Sequence, residues 1–584
     1  MHYLMASSVS AIRAGLHPEY KFLHSLRTSC MVTAMVQSMR LLILLLLLPV
    51  SALAAAAPPP VAAIASAHPL ATEVGHDILA QGGNAFDAAV AMAAVLGVVE
   101  PANSGLGGGG FWLLHRATDG FETVVDGRER APLAARADMY LDKDGKVLPQ
   151  LSLDGPLAAA IPGTPAALVH IARRYGRLPL AQSLAPAIRI AKNGFAVSAR
   201  YQSMAERRSE ALRVSPAAAT IFLDGGFVPE PGYVLRQPEL AATLKRIAAR
   251  GRAGFYAGET AQRLVAGVRA AGGIWSLRDL QHYRVVERRP LRARYGDMTI
   301  TSAPPPSSGG IVLAQMLNIL DAYPLTSMPA VERQERIIQA MGLAYRERAR
   351  HLGDPDFVAM DVPKLISPAY ARSLRSDIAP RVNEDLRPTG TETTHFSVLD
   401  RAGNRVAVTL SLNTLFGSGF MPEGTGVLLN NEMDDFSAKP GAANTYGLVG
   451  SKANAIAPGK RPLSSMTPTF LETPDAVMIL GTPGGSRIPT MVLLAALEFA
   501  QGRGGVQDWV AMPRFHHQYL PDVVEHEPGA FSADEARELA ARGHALTLRA
   551  AGYGNMQAIV WYKKTKRVEA ASDPRGEGRA VLGR

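Results

Sequence analysis

Cysteine is almost missing from this 584-residue chain. The single Cys30 excludes an intramolecular disulfide and any cysteine-based metal site. Blocks of five or six Lys/Arg are missing too. The net charge of +10 is dispersed, which suits solubility and mild attraction for anions but gives no basic stripe for a nucleic acid. There is no H-E-x-x-H helix for zinc and no G-x-S-x-G nucleophile elbow, so an ordinary zinc or serine hydrolase is not expected. The Leu- and Ile-rich block Leu41 to Leu48 is far below the roughly 20 residues of a membrane-spanning helix. No internal repeat or low-complexity linker divides the chain. A hydrophobic fraction of 47% and a charged fraction of 19% are those of a globular protein.

The same apolar block has a positive use. Arg40 precedes it, and the small-residue run Ser51 to Ala57 follows, as in a cleaved secretory signal. Residues 1–57 are therefore expected to direct export, with a periplasmic destination and no permanent membrane anchor. Residues 1–38 are unusual for such a signal, and Met39-Arg40 would make a better beginning. Removal of 1–57 takes away Arg13, Lys21, Arg27 and Arg40 against Glu19, three net charges, leaving +7. It also takes Cys30, so the mature chain has no thiol to oxidise.

Apolar residues recur at helical spacing from Ala71 to Val99, broken at Gly82-Gly83-Asn84, which predicts two closely packed helices. Gly105 to Gly110 matches G-x-G-x-x-G formally. The expected strand follows the glycines instead of preceding them, so a tight backbone approach in a core replaces a dinucleotide site. From Leu153 to Ala379 the pattern is mostly helical, interrupted by the loop Ala303 to Gly310, which leads into a helix from Ile311. Strands are expected after Thr393. Asp400 to Asn404 reads as a turn pairing Leu399 with Arg405, so residues 393–412 form a hairpin with Thr393 opposite Ser411. A slip of one residue would turn Ser411 to the other face.

A threonine hydroxyl is a poor nucleophile without a neighbouring base, and chain cleavage before Thr393 would supply one as a free α-amino group. Alone, Thr393, Thr394 and Ser411 are better read as ordinary strand residues. Their surroundings decide between the readings. The chain resembles the γ-glutamyltransferase family from about Ala62 onward. The resemblance is carried by Gly82 to Ala89, Pro304 to Gly310, Leu352 to Phe357, Thr393-Thr394-His395, Leu428 to Phe436, Arg461 to Met466, Pro483 to Arg487 and Pro513 to Gln518.

That resemblance implies an α+β N-terminal-nucleophile hydrolase fold, a four-layer αββα sandwich. Self-cleavage between Glu392 and Thr393 would make a large subunit (58–392) and a small catalytic subunit (393–584), paired as a heterodimer. Thr393 is implied as both processing residue and nucleophile. Ser411 stands where the family usually has a threonine contacting it. Gly484 and Gly485, otherwise a plain turn, match the oxyanion-binding pair. Arg128 aligns with the arginine that grips a substrate α-carboxylate, a task suited to two parallel charge-assisted bonds. Ser464 and Ser465 match hydroxyls that help it.

Asn413, Glu432 and Asp435 match acceptors of the α-ammonium. Many bacterial relatives have glutamine where Glu432 stands, so tighter selection for a free amino group is expected here. Pro440 to Arg461, with Tyr446, corresponds to a loop covering the donor site, a feature that favours a small donor. The implied partners are glutathione and other γ-glutamyl compounds, with water or an amino acid or peptide as acceptor. No cofactor and no metal are implied. His516-His517 tempts a metal reading, but adjacent strand residues point opposite ways. Two alternatives remain: a glutaryl-β-lactam acylase on the same scaffold, and an unprocessed, non-catalytic protein that binds γ-glutamyl ligands.

Overall fold

The computed structural model describes residues 58–376 and 392–583. The predicted export segment, Cys30 and residues 387–391 of the polar run before Thr393 lie outside them. In chain order, strand β1 (Ala63–Ser66) is followed by helices α1 (Pro69–Ala80) and α2 (Ala85–Val99), then β2 (Gly109–Arg116), β3 (Phe121–Asp126), β4 (Val286–Arg288), β5 (Leu291–Tyr295) and β6 (Met298–Ser302). Helices α3 (Gly309–Leu320) and α4 (Ala330–His351) precede β7 (Thr394–Leu399), β8 (Arg405–Ser411), β9 (Thr469–Glu472) and β10 (Ala476–Gly481). The last elements used below are α5 (Ile488–Gln501), β11 (Gln557–Tyr562), β12 (Arg567–Ser572) and β13 (Arg579–Leu582).

Two antiparallel sheets form, one in the order β13-β1-β7-β8-β2-β3-β4 and one in the order β12-β11-β10-β9-β6-β5. Strand periodicity explains how they stack. In the first sheet Phe111, Leu113, Leu399 and Ala407 join a core with Val477, Ile479, Ile559 and Trp561 of the second. Their neighbours Trp112, Leu114, Val406 and Val408 face the other way, against α1 and α2. Met478, Leu480, Ala558 and Val560 likewise pack on α3, α4 and α5. The layers are therefore helix, sheet, sheet, helix.

The helix pair at Gly82-Gly83-Asn84 forms as its sequence predicts, with Asn84 and Asp87 making a reciprocal cap at the start of α2. The glycine run is a close backbone approach: a Cβ on Gly107 would stand 1.9 Å from the Leu428 carbonyl oxygen, and one on Gly108 would stand 2.0 Å from that of Ser411. Two expectations need correction. The interval read as mostly helical also contains β4, β5 and β6, short strands of which β4 and β5 are sheet edges. Glu287 and Arg288 on β4 and Arg292 and Arg294 on β5 mask the strand signal. Helix α3 begins at Gly309 instead of Ile311, because only small residues fit its first turn; a Cβ on Gly310 would lie 2.4 Å from the Ala303 oxygen. Among the described residues no helix is long and apolar enough to cross a membrane.

Candidate active site

The hairpin β7–β8 pairs Leu399 with Arg405 and Thr394 with Leu410, the register expected from the turn at Asp400. Asp400 fixes that turn by accepting the N–H groups of Ala402 and Asn404, both at 2.9 Å. One step beyond the last pair, Thr393 Oγ1 lies 3.3 Å from Ser411 Oγ. Ser411 Oγ also accepts the Asn413 N–H at 2.8 Å, which holds its rotamer. Side chains alternate along β7, so Thr393 shares the inter-sheet face of His395, whose ring packs against Gly481 of β10. The hydroxyl pair therefore sits at one end of the sandwich.

Thr393 has φ +144°, a conformation that favours glycine and costs a β-branched residue about 1–3 kcal/mol. That torsion turns about the Thr393 N–Cα bond and is defined by the Glu392 carbonyl carbon, so the constraint exists only while the Glu392–Thr393 peptide is intact. Glu392 is buried, with Arg207 Nη2 3.4 Å from its Oε1.

Arg128, Thr393, Ser411, Asn413, Glu432, Asp435, Tyr446, Ser464, Ser465 and Gly485 line one small cavity. Gly484 adjoins it as the residue before Gly485. Arg128 follows β3 and is locked by its backbone and its Nε: its N–H donates to Asp126 Oδ1 at 2.9 Å and its Nε to the Pro462 carbonyl at 3.1 Å. Its fork reaches two acids on the single turn Glu432–Asp435: Nη1 lies 2.8 Å from Glu432 Oε2 and Nη2 2.5 Å from Asp435 Oδ2. The Glu432 contact is an ion pair without hydrogen-bond alignment, and its Oε1 has no hydrogen-bond partner among the described residues.

Electrostatics follow from burial. Desolvation works against the Arg128 charge, but Glu432, Asp435 and Glu129 outweigh it and hold the guanidinium above its ordinary value. Glu432 is pushed well above the carboxylate range, burial outweighing the attraction of Arg128. Glu129 is pushed up to about 7 for the same reason. Burial thus favours the protonated form of Glu432 and Glu129.

Gly484 and Gly485 follow β10 of the second sheet, with φ +139° and +55°. Among the described residues neither N–H is engaged by a turn or loop hydrogen bond. The Tyr446 ring lies over this turn: a Cβ on Gly485 would be 2.3 Å from its Cε1. Its hydroxyl donates to the Asn413 carbonyl at 2.6 Å, and it is only 3% exposed. Of the loop 440–461, Tyr446 and Leu448 line the cavity.

Two residues of the site were not singled out by sequence. Glu129 sits under Arg128, with one oxygen lacking a partner among the described residues. Gln518 donates from Nε2 to the Tyr446 carbonyl at 2.9 Å, while its Oε1 is 2.9 Å from His516 Nε2. The histidines have separate duties: His516 also meets Thr490 Oγ1, and His517 meets Asp522, each at 2.9 Å. Gln518 lies inside a motif that marks the resemblance, but its partner Tyr446 is distant in sequence; Glu129 adjoins Arg128, whose other acids come from the distant turn Glu432–Asp435. Among the described residues no group of three His, Cys, Asp or Glu is placed to hold a metal ion.

A family model described as Gamma-glutamyltranspeptidase matches residues 71–583. The chain is 43% identical over 493 residues to a glutathione hydrolase proenzyme of Pseudomonas sp. (strain A14), covering 82% of this chain and 85% of that one. To the protein of the same name in Escherichia coli (strain K12) it is 40% identical over 525 residues, covering 88% and 90%. The crystal structure of a cephalosporin acylase from Bacillus halodurans superposes with a TM-score of 0.80 at 29% identity, over 90% of this chain and 96% of that chain. The layered fold is that of an N-terminal-nucleophile hydrolase, and the chain belongs to the gamma-glutamyltranspeptidase family.

Proposed function

We propose that this chain is the precursor of a γ-glutamyltransferase and glutathione hydrolase that cuts itself between Glu392 and Thr393. Thr393 Oγ attacks the Glu392 carbonyl, the peptide becomes an ester, and water releases the large subunit's new carboxyl. The freed α-amino group then serves as base for the same hydroxyl. The two subunits stay together as a heterodimer, since Arg128 comes from the large one and Thr393 from the small one.

In turnover, Arg128 with Ser464 and Ser465 receives the donor α-carboxylate, while Asn413, Glu432 and Asp435 receive its α-ammonium. Thr393 attacks the γ-carbonyl, and Gly484 and Gly485 N–H groups meet the oxyanion. Collapse expels the amine and leaves a γ-glutamyl ester on Thr393. Water or the amino group of an amino acid or peptide then takes the acyl group. Ser411 holds the nucleophile's rotamer, and Tyr446 closes the donor site. The relatives' names point to glutathione as donor, and the sequence of residues 1–57 supports export to the periplasm.

The observation that carries this reading is the placement of Thr393 Oγ1 against Ser411 Oγ in the same cavity as the Arg128–Glu432–Asp435 cluster. The likeness to a cephalosporin acylase brings in glutaryl amides as a second donor class. A glutaryl group has no α-amine, so Glu432 and Asp435 would receive no cation from the donor. Comparing hydrolysis of γ-glutamyl-p-nitroanilide with that of glutaryl-7-aminocephalosporanic acid tests the choice. The γ-glutamyl amide is expected to be strongly preferred; preference for the glutaryl compound reverses the assignment.

A further inference from the structure

Helix α4 ends in Arg348, Arg350 and His351, a basic last turn that suits the helix dipole. Arg350 and His351 face outward. Arg348 does not: it is 4% exposed, and among the described residues no carboxylate forms an ion pair with it. A buried guanidinium without a counterion is costly, and burial holds it below its ordinary value. Stability alone would favour a neutral side chain at this position.

Its surroundings lead to the donor cavity. Arg348 Nε donates to Ser308 Oγ at 3.1 Å. Ser308 Oγ in turn donates to the Ser464 carbonyl at 2.7 Å, and the Ser308 N–H donates to the same oxygen at 2.8 Å. Ser464 and Ser465 line the cavity beside Arg128. The acid whose charge supports Arg348 is Asp435, and the cation that opposes it is Arg128, both cavity residues. The balance there needs such a charge. Glu129, Glu432 and Asp435 all press on Arg128, so its guanidinium is already engaged by acids when a carboxylate enters.

Resting on the γ-glutamyl donor reading, we propose that Arg348 is a positioning residue for the donor α-carboxylate. Through Ser308 it fixes the Ser464–Ser465 turn, and its charge behind that turn makes the subsite receptive to an anion. A replacement by methionine keeps the bulk and removes both contributions; a lysine keeps the charge and loses the planar Nε contact.

The experiment compares wild type, Arg348→Met and Arg348→Lys, each confirmed as two fragments on a denaturing gel. The donors are γ-glutamyl-p-nitroanilide and 4-aminobutyryl-p-nitroanilide, which has the same amide and amine but no α-carboxylate. If the second donor turns over too slowly, its inhibition constant against the first replaces KM. Arg348→Met is expected to raise KM for the carboxylate donor about tenfold with kcat within about threefold, and to leave the decarboxylated compound within about twofold. Arg348→Lys is expected to fall between. Equal losses on both compounds, or no change on either, overturn the proposal. If Arg348→Met does not mature, Arg348→Lys against the same pair decides: a loss confined to the carboxylate donor supports the role, and a shared loss or none refutes it. Failure of wild type on γ-glutamyl-p-nitroanilide would overturn the donor reading itself and is thereby distinguished.

Discussion

Thr393 Oγ1 and Ser411 Oγ stand 3.3 Å apart across adjacent antiparallel strands, with the second hydroxyl held by the Asn413 N–H. If that contact positions the nucleophile, Ser411→Ala should lower kcat and slow fragment formation by about 10- to 100-fold, the range of one lost hydrogen bond at a reacting group. Ser411→Thr keeps the hydroxyl and stiffens χ1, and its kcat should equal or exceed that of wild type. Steady-state kinetics and a time course of chain cleavage check both. An alanine variant as fast as wild type would mean the contact is incidental.

Glu432 faces Arg128 in the empty site and is assigned to the ammonium in the loaded one. Glu432→Gln keeps the shape and removes the charge that pairs with the ammonium, so KM for γ-glutamyl-p-nitroanilide should rise about five- to tenfold, with kcat little changed. Unaltered donor affinity would remove Glu432 from ammonium recognition.

Protons on buried acids give stability a pH slope. Burial raises Glu129 to about 7 from 4.5, and Asp434 to about 7 from 3.8. The folded state thus holds protons that the unfolded chain releases at lower pH. Their stabilising contribution is complete below the unfolded values and lost as pH rises through the folded ones. Without donor, Tm should fall between about pH 5 and pH 8, and Glu129→Gln should flatten but not abolish the slope, since Asp434 remains. Calorimetry across that range checks the sign. A variant with an unchanged slope would exclude Glu129 as a source.

The covering loop is tied down by Gln518 and lies on Gly485. Gln518→Ala removes the bond to the Tyr446 carbonyl and should raise donor KM a few-fold while improving turnover of longer γ-glutamyl chains. Gly485→Ala places a methyl against the Tyr446 ring at a positive φ, and kcat should fall about 100-fold or more as the oxyanion turn is displaced. Kinetics with donors of increasing length separate the two effects. Equal behaviour of both variants would argue against distinct roles.

Much of this geometry was legible in the residues themselves. The turn chemistry of Asp400 to Asn404 set the hairpin register and so brought Thr393 to Ser411. The stretch from Thr393 to Leu412 was legible as the strands β7 and β8. What periodicity could not give was the convergence of Arg128 with Glu432 and Asp435, which lie far apart in sequence; only the resemblance joined them. The strands β4 and β5 were hidden because sheet edges carry charge where central strands carry Val and Ile. Arg348 and Gln518 were invisible for another reason: a lone arginine in a basic helix end and a glutamine after two histidines acquire meaning only from what they touch.

The most direct test is N-terminal sequencing of the smaller fragment from the purified, active protein. A fragment beginning Thr-Thr-His-Phe-Ser at residue 393, with Thr393→Ala remaining one inactive chain, is the expected result. An uncut chain that still turns over γ-glutamyl amides, or a fragment beginning elsewhere, contradicts a nucleophile made by cleavage at Glu392–Thr393.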